Sequence, residues 1–175
     1  VAIRNANDAI SLSQTAEGSL SKINDMGQRM RELAVQSANA TNSDSDRKNL
    51  DAEYQALAEE IKRNLAGASF NGTKLFAAAA ALTFQVGANA ATTDQITINT
   101  ENLAGDAKFT AVIGNNAKPD GIATVTAASA ALGKLDDMLS LVNSKRAEFG
   151  ATQNRFEAVI QTLQVSAENQ TAARS

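Results

Sequence analysis

From Ala2 onward, small and apolar residues recur at Ala2, Ala6, Ala9, Ser13, Ala16, Leu20, Ile23, Gly27, Met30, Ala34 and Ser37. The steps alternate between four and three without a slip, which is the 3.5-residue period of helices wound around one another. Most residues of this seam are small, so a partner helix can come close. Ile3, Ile10, Leu12, Met26 and Leu33 flank it and widen the stripe beyond what one partner would cover. No proline interrupts the pattern, and a helix over residues 2–38 would be a rod about 55 Å long.

A second seam closes the chain: Ala128, Leu132, Leu135, Leu139, Val142, Arg146, Phe149, Gln153, Phe156, Ile160, Leu163, Ala167, Gln170 and Arg174. It carries large residues where the first carries small ones. A small-faced rod against a large-faced rod fills volume without voids, so the two ends of the chain are expected side by side. Arg146 and Gln153 have two readings. Their long side chains either snorkel or bond to a neighbouring helix, or they fix the register of the pair.

Between the seams, Ala40-Thr41-Asn42-Ser43-Asp44-Ser45 is rich in side chains that compete with the helix for backbone hydrogen bonds. Ser43 and Asp46 have capping-box spacing. The helix that follows carries Leu50, Tyr54, Leu57, Ile61 and Leu65 on one face and is expected to run antiparallel to the first. Asp51, Glu53, Glu59, Lys62 and Arg63 fall on its wetter faces, where Glu59 and Arg63 can pair.

Asn71-Gly72 supplies the positive φ angles of a tight turn. The alanine run Ala77–Ala81 reads as a substituted or spliced segment, because nothing about a turn-to-strand junction calls for it. Leu82–Val86 and Gln95–Asn99 alternate apolar and polar residues, as the strands of a hairpin with a long loop do. Phe109, Ala111 and Ile113 suggest a further short strand, and Pro119-Asp120-Gly121 another turn. The last helix grows from about Thr126. Gly150, inside it, marks either a close contact or a bend.

Composition narrows the class. The chain is 43% hydrophobic, largely through alanine, and only 4% aromatic, with one tyrosine, one proline and no tryptophan. That is the profile of long helices packed through small residues. Sixteen basic against nineteen acidic residues leave a net charge of -3, which asks for neither nucleic acid nor an anionic membrane. No apolar run approaches the roughly 18 residues a membrane-crossing helix needs. The absence of cysteine and histidine removes disulfides, most zinc sites and most nucleophile–base dyads. The chain starts inside one periodic pattern and stops inside another without cap residues, as a piece of a longer protein would.

No catalytic constellation is found, so the chain is not expected to be an enzyme or to need a cofactor. Asp136 and Asp137 are adjacent on a helix and face different sides, as do Glu59 and Glu60. Asn42, Asp44 and Asp46 alternate like calcium-loop ligands, but the loop glycine and terminal glutamate are missing; a solvated helix cap accounts for them. Gln28, Arg29 and Glu32 fall off the seam and should form an exposed, charge-paired face.

These stretches resemble bacterial flagellin. Arg31–Asn39 reads "RELAVQSAN", a signature of that family. Arg4–Ser11 with Gln14–Gly18 resembles its "RNANDGIS…QTTEGAL". Phe70–Leu75 resembles its "FNGxKLL" turn, and Gln85–Asn89 its "QVGAN". Gly150–Phe156 matches "GAxQNRF", and Ala172–Ser175 begins its "SARSRI". The alanine run at 77–81 has no counterpart in the family pattern.

The resemblance implies a mainly α fold with a small β part. Two long helices and a shorter one would form an elongated antiparallel, coiled-coil-like bundle with a β-hairpin region. Residues 1–76 would supply the N-terminal helices and turn, 77–126 the hairpin and a very short remnant of the outer insertion, and 127–175 the C-terminal helix of one discontinuous domain. It implies a structural subunit of the extracellular flagellar filament, exported by the flagellar secretion system without a cleaved signal peptide. The implied partners are other flagellin subunits, the export chaperone, the filament cap and a Toll-like receptor of animal innate immunity. The outermost terminal helices that drive polymerisation would be missing, leaving this piece a monomer. Gln28, Arg29, Leu33 and Glu53, with Gln36 close by, stand at positions matching the family's receptor-binding surface, which also meets neighbouring subunits. The rival reading is the hook–filament junction protein, which shares the same helical plan.

Overall fold

A computed structural model describes all residues from Val1 to Ser175. The first seam is one helix, α1 (Ala2–Ser37), and the second is α4 (Val125–Arg174). They run antiparallel: Ser37 Oγ donates to the Ile122 carbonyl just before α4 at 2.5 Å, while Glu17 accepts from Gln153 Nε2 at 2.9 Å farther along. From Ala6 to Ser37 every residue of the first seam is buried. A Cβ placed on Gly27 would sit 2.8 Å from Leu139 Cδ2 and 3.0 Å from Met138 Cε, so the small face is what lets the large face in.

The second helix, α2 (Asp44–Gly67), starts at Ser43 with the expected capping box. Asp46 N donates to Ser43 Oγ at 3.1 Å, and Ser43 N to Asp46 Oδ2 at 3.0 Å. The loop from α1 is closed from within by Arg47, which is buried. Its guanidinium donates to the Ser37 and Asn39 carbonyls, each at 2.9 Å, and so satisfies acceptors that the end of α1 leaves open. α2 lies antiparallel on α1 and buries Tyr54, Ala58, Ile61 and Leu65. Arg63 pairs with Glu60, not with Glu59, because the three-residue spacing meets its guanidinium in this rotamer.

A two-residue turn with φ of 50° at Asn71 and 79° at Gly72 joins β1 (Ser69–Phe70) to β2 (Thr73–Lys74). Leu75 and Phe76 then drop into the core. β3 (Ala80–Gln85) pairs antiparallel with β4 (Gln95–Thr100), Thr83 opposite Thr97, and the expected hairpin is present. Ile96, Ile98 and Thr100 face inward. Phe84 meets Phe156 edge to face at 5.7 Å, which docks the hairpin on α4. In the alanine run, Ala78–Ala81 are exposed and contribute mainly backbone: the Ala78 carbonyl accepts from Thr100 Oγ1 at 3.0 Å.

Four expectations are corrected. Phe109, Ala111 and Ile113 belong to a helix, α3 (Ala107–Ile113), not to a strand. Asp106 caps it by accepting from Lys108 N at 2.8 Å, and Phe109, Val112 and Ile113 line one buried face at helical spacing. Residues 118–121 form no hydrogen-bonded turn; the chain bends on either side of them, at 115–117 and 122–124. They are tied to α2, where Gln55 Nε2 donates to the Pro119 carbonyl at 3.2 Å and Asp51 Oδ1 accepts from Ile122 N at 2.8 Å. Gly150 marks no close contact: a Cβ there would meet nothing within 4 Å, and α4 continues through it. The second seam is covered only as far as Leu163; Ala167, Gln170 and Arg174 are exposed, since no other element reaches them.

Candidate interaction surface

The face that α1 and α2 present together is built by charge pairing across the two helices. Arg29 Nε donates to Glu53 Oε1 at 2.9 Å and its NH2 to Oε2 at 3.3 Å, a two-pronged clamp. Its NH1 donates to Glu32 Oε2 at 3.1 Å, one turn along α1. These hydrogen bonds, the one to Glu53 foremost, raise the Arg29 pKa and keep the guanidinium charged. The clamp stays about half exposed, so it orients the side chains more than it stabilises the fold.

Gln28 and Gln36 are exposed on α1 to either side of this clamp. With Arg31, Glu32 and Val35 they line a shallow depression of about 350 Å³. Val35 is one of few large apolar residues left in the open, at 49% exposed. Arg31 Nε reaches across to Asp136 Oδ1 of α4 at 2.8 Å, which raises the Arg31 pKa and ties α4 to the same face.

Of the five residues singled out in the sequence, Gln28, Arg29, Gln36 and Glu53 lie on this surface. Leu33 does not: it is 0% exposed. Its place beside the seam turns it toward the groove between helices, where it belongs to the core cluster. Its side chain is closed off from solvent. The link between Arg31 and Asp136 was missed because 105 positions separate the two residues and no local pattern connects them.

The chemistry of this face is exposed ion pairing between helices. No group of three metal-ligating side chains gathers anywhere in the chain. Asn42, one of the calcium-like positions, directs its Nδ2 at the Gln36 and Asn39 carbonyls, at 2.6 and 3.0 Å. Asp46 is committed to the α2 cap, whose hydrogen bonds lower its pKa. Gln153 is engaged with Glu17 across the seam, whereas Arg146 Nε is buried without a partner. No helix is long and apolar enough to cross a membrane.

Residues 1–81 match the family model of the bacterial flagellin N-terminal helical region. The chain is 39% identical over 175 residues to a flagellin of Halalkalibacterium halodurans, covering 99% of this chain and 62% of that protein. It is 37% identical to a flagellar filament 31.3 kDa core protein of Treponema maltophilum, covering 99% of this chain and 64% of the relative. It thus spans less than two thirds of the length of these relatives. Among solved structures, it is similar to Bacillus cereus flagellin with a TM-score of 0.77 at 30% identity, over 98% of this chain and 94% of that one. The fold is thus similar to that of a flagellin over nearly the whole length of both chains, at 30% identity, and this chain belongs to the bacterial flagellin family.

Proposed function

We propose that this chain is the rod-like core of a structural subunit of the bacterial flagellar filament, acting outside the cell in motility. The observation that carries the reading is the paired α1–α4 scaffold, whose likeness to Bacillus cereus flagellin extends over both chains almost end to end. A long, stiff element with charge-paired faces suits a polymer whose subunits stack side by side. Residues 77–126 hold the place where family members insert outer domains, and 1–76 with 127–175 form the two halves of the rod. Export through the flagellar secretion system, with its chaperone and cap, follows from the same reading.

Electron microscopy tests it. The chain extended at both ends by the terminal helices that the family resemblance implies should form long helical filaments, and the 175 residues alone should not. An extended protein that only adds to the ends of pre-formed filaments would instead make this the hook–filament junction protein.

We further propose that the face carrying Gln28, Arg29, Gln36 and Glu53 is recognised by the flagellin-sensing Toll-like receptor. The bidentate Arg29–Glu53 clamp supports this, because it presents a charged pair in fixed geometry, and pre-organised Arg anchors dominate interfaces. Arg29→Ala should weaken receptor activation roughly thirtyfold, the scale of a hot spot. The Tm should hardly move, since the ion pair is exposed. Unchanged activation would overturn the assignment.

A further inference from the structure

We infer that Asn71 is a site of spontaneous covalent modification, converting to aspartate and isoaspartate through attack by its own chain. Asn71-Gly72 is the only Asn-Gly dipeptide in the sequence. Both residues are exposed at the tip of the β1–β2 turn, and both have positive φ. The Gly72 N–H donates to no backbone acceptor, and the Asn71 amide has no hydrogen-bond partner. A Cβ built on Gly72 would meet nothing within 4 Å, so no neighbouring group packs against this residue on its Cβ side.

The step balances with water as the only co-reactant. Base removes the Gly72 amide proton, and that nitrogen bonds to Asn71 Cγ. The Cγ–Nδ2 bond breaks, and the former amide leaves as ammonia. The resulting five-membered imide then takes up water. Opening at the side-chain carbonyl gives aspartate. Opening at the main-chain carbonyl gives isoaspartate, in which the backbone runs through Cβ and Cγ.

Other asparagines lack this combination. Asn42 is tied down by two carbonyls, and Asn5, Asn7, Asn24, Asn49, Asn64, Asn143, Asn154 and Asn169 are held in helices. Asn116 also has a positive φ, of 58°, but is followed by Ala117, whose Cβ crowds the attacking nitrogen. It is the natural internal control. At Asn71 the ladder is short, two residue pairs (Ser69–Lys74 and Phe70–Thr73) with one further bond from Leu75 N to the Ala68 carbonyl, so the turn opens more readily than a long hairpin. Isoaspartate adds a backbone carbon to a two-residue turn whose register depends on its length, and it places a carboxylate near Lys74.

The test is peptide mapping by mass spectrometry of the intact folded chain after incubation in mildly alkaline buffer. A gain of about one dalton should appear first in the peptide containing Asn71, as two chromatographically separate products. One of them should be methylated by an isoaspartyl methyltransferase. Conversion should be severalfold faster than at Asn115–Asn116, should vanish at this position in Asn71→Gln, and should slow severalfold in Gly72→Ala. If Asn71 stays intact while Asn116 converts, or if the two convert at equal rates, the inference is wrong.

Discussion

The two ends of the α1–α4 pair carry the same heptad grammar and live in different surroundings. Around Leu20–Ser37 and Ala128–Val142, the helices are backed by α2 and α3, and Met30, Leu33, Leu135, Met138 and Val142 are sealed. At the other end the β3–β4 hairpin gives the last cover, with Phe84 on Phe156. Beyond it Ile160 and Leu163 are half-buried and Val165 is 56% exposed. Periodicity decides which face of a helix is apolar. What covers that face depends on how many elements arrive there.

The sharpest way to break the comparison is to delete side chains at both ends of one helix. Leu135→Ala should cost about 3 kcal/mol, since it removes methyl groups from a fully packed site and leaves a cavity. Leu163→Ala should cost about 0.5 kcal/mol or less in the same urea titration, as its surroundings are half water. Equal losses would mean that the outer end is as tightly packed as the base. Next in size is the small-against-large fit. Gly27→Val should lose about 2 kcal/mol, because the branched side chain meets Leu139 and Met138 where even one carbon is too close. A gain from relieved glycine flexibility alone would argue against close approach there.

Two smaller effects concern protons and caps at the base. Tyr54 is the only tyrosine and the chain has no tryptophan, so its ionisation can be followed in the near ultraviolet without interference. Burial first, and then the charges of Asp51 and Asp120, push its pKa up from 10.0 to about 12. The folded state favours the neutral phenol. This part of the stability is therefore complete below pH 10 and lost as pH rises through the folded value, and Tyr54→Phe should remove the alkaline loss. A titration midpoint near 10 in the folded protein would show the ring to be wet.

Ser43→Ala should cost about 1 kcal/mol by opening the α2 cap. The Asp46 half of that box titrates in the opposite sense. Its folded pKa lies below the ordinary 3.8, owing first to the Ser43 backbone N–H, so its contribution is present above that value and fades as pH falls through the folded one. Acid unfolding that starts at the same pH in Asp46→Asn would mean that the box contributes nothing.

Much of this molecule was legible in the sequence because its signals are local or periodic. The α1 seam, the Ser43 cap, the Asn71-Gly72 turn and the hairpin each rest on residues a few positions apart. The α3 segment was misread because alternation over five residues fits a strand as well as a short helix, and Asp106 as a cap was the signal that decides it. On the charge-paired face of α1 and α2, exposure of Gln28, Arg29 and Gln36 followed from their position off the seam. Burial of Leu33 did not, because a flanking residue is covered or open according to which elements pack there.

By itself, then, the sequence determined the helical rods, the faces by which they meet and the family to which the motifs point. Only the tertiary structure decided that Arg31 clasps Asp136, that Asp51 and Gln55 tether the chain at Pro119 and Ile122, and that the seam beyond Leu163 stands uncovered. The reason is one of range. Helix periodicity is written in steps of three and four residues, whereas these contacts join residues that only the completed antiparallel pairing brings together.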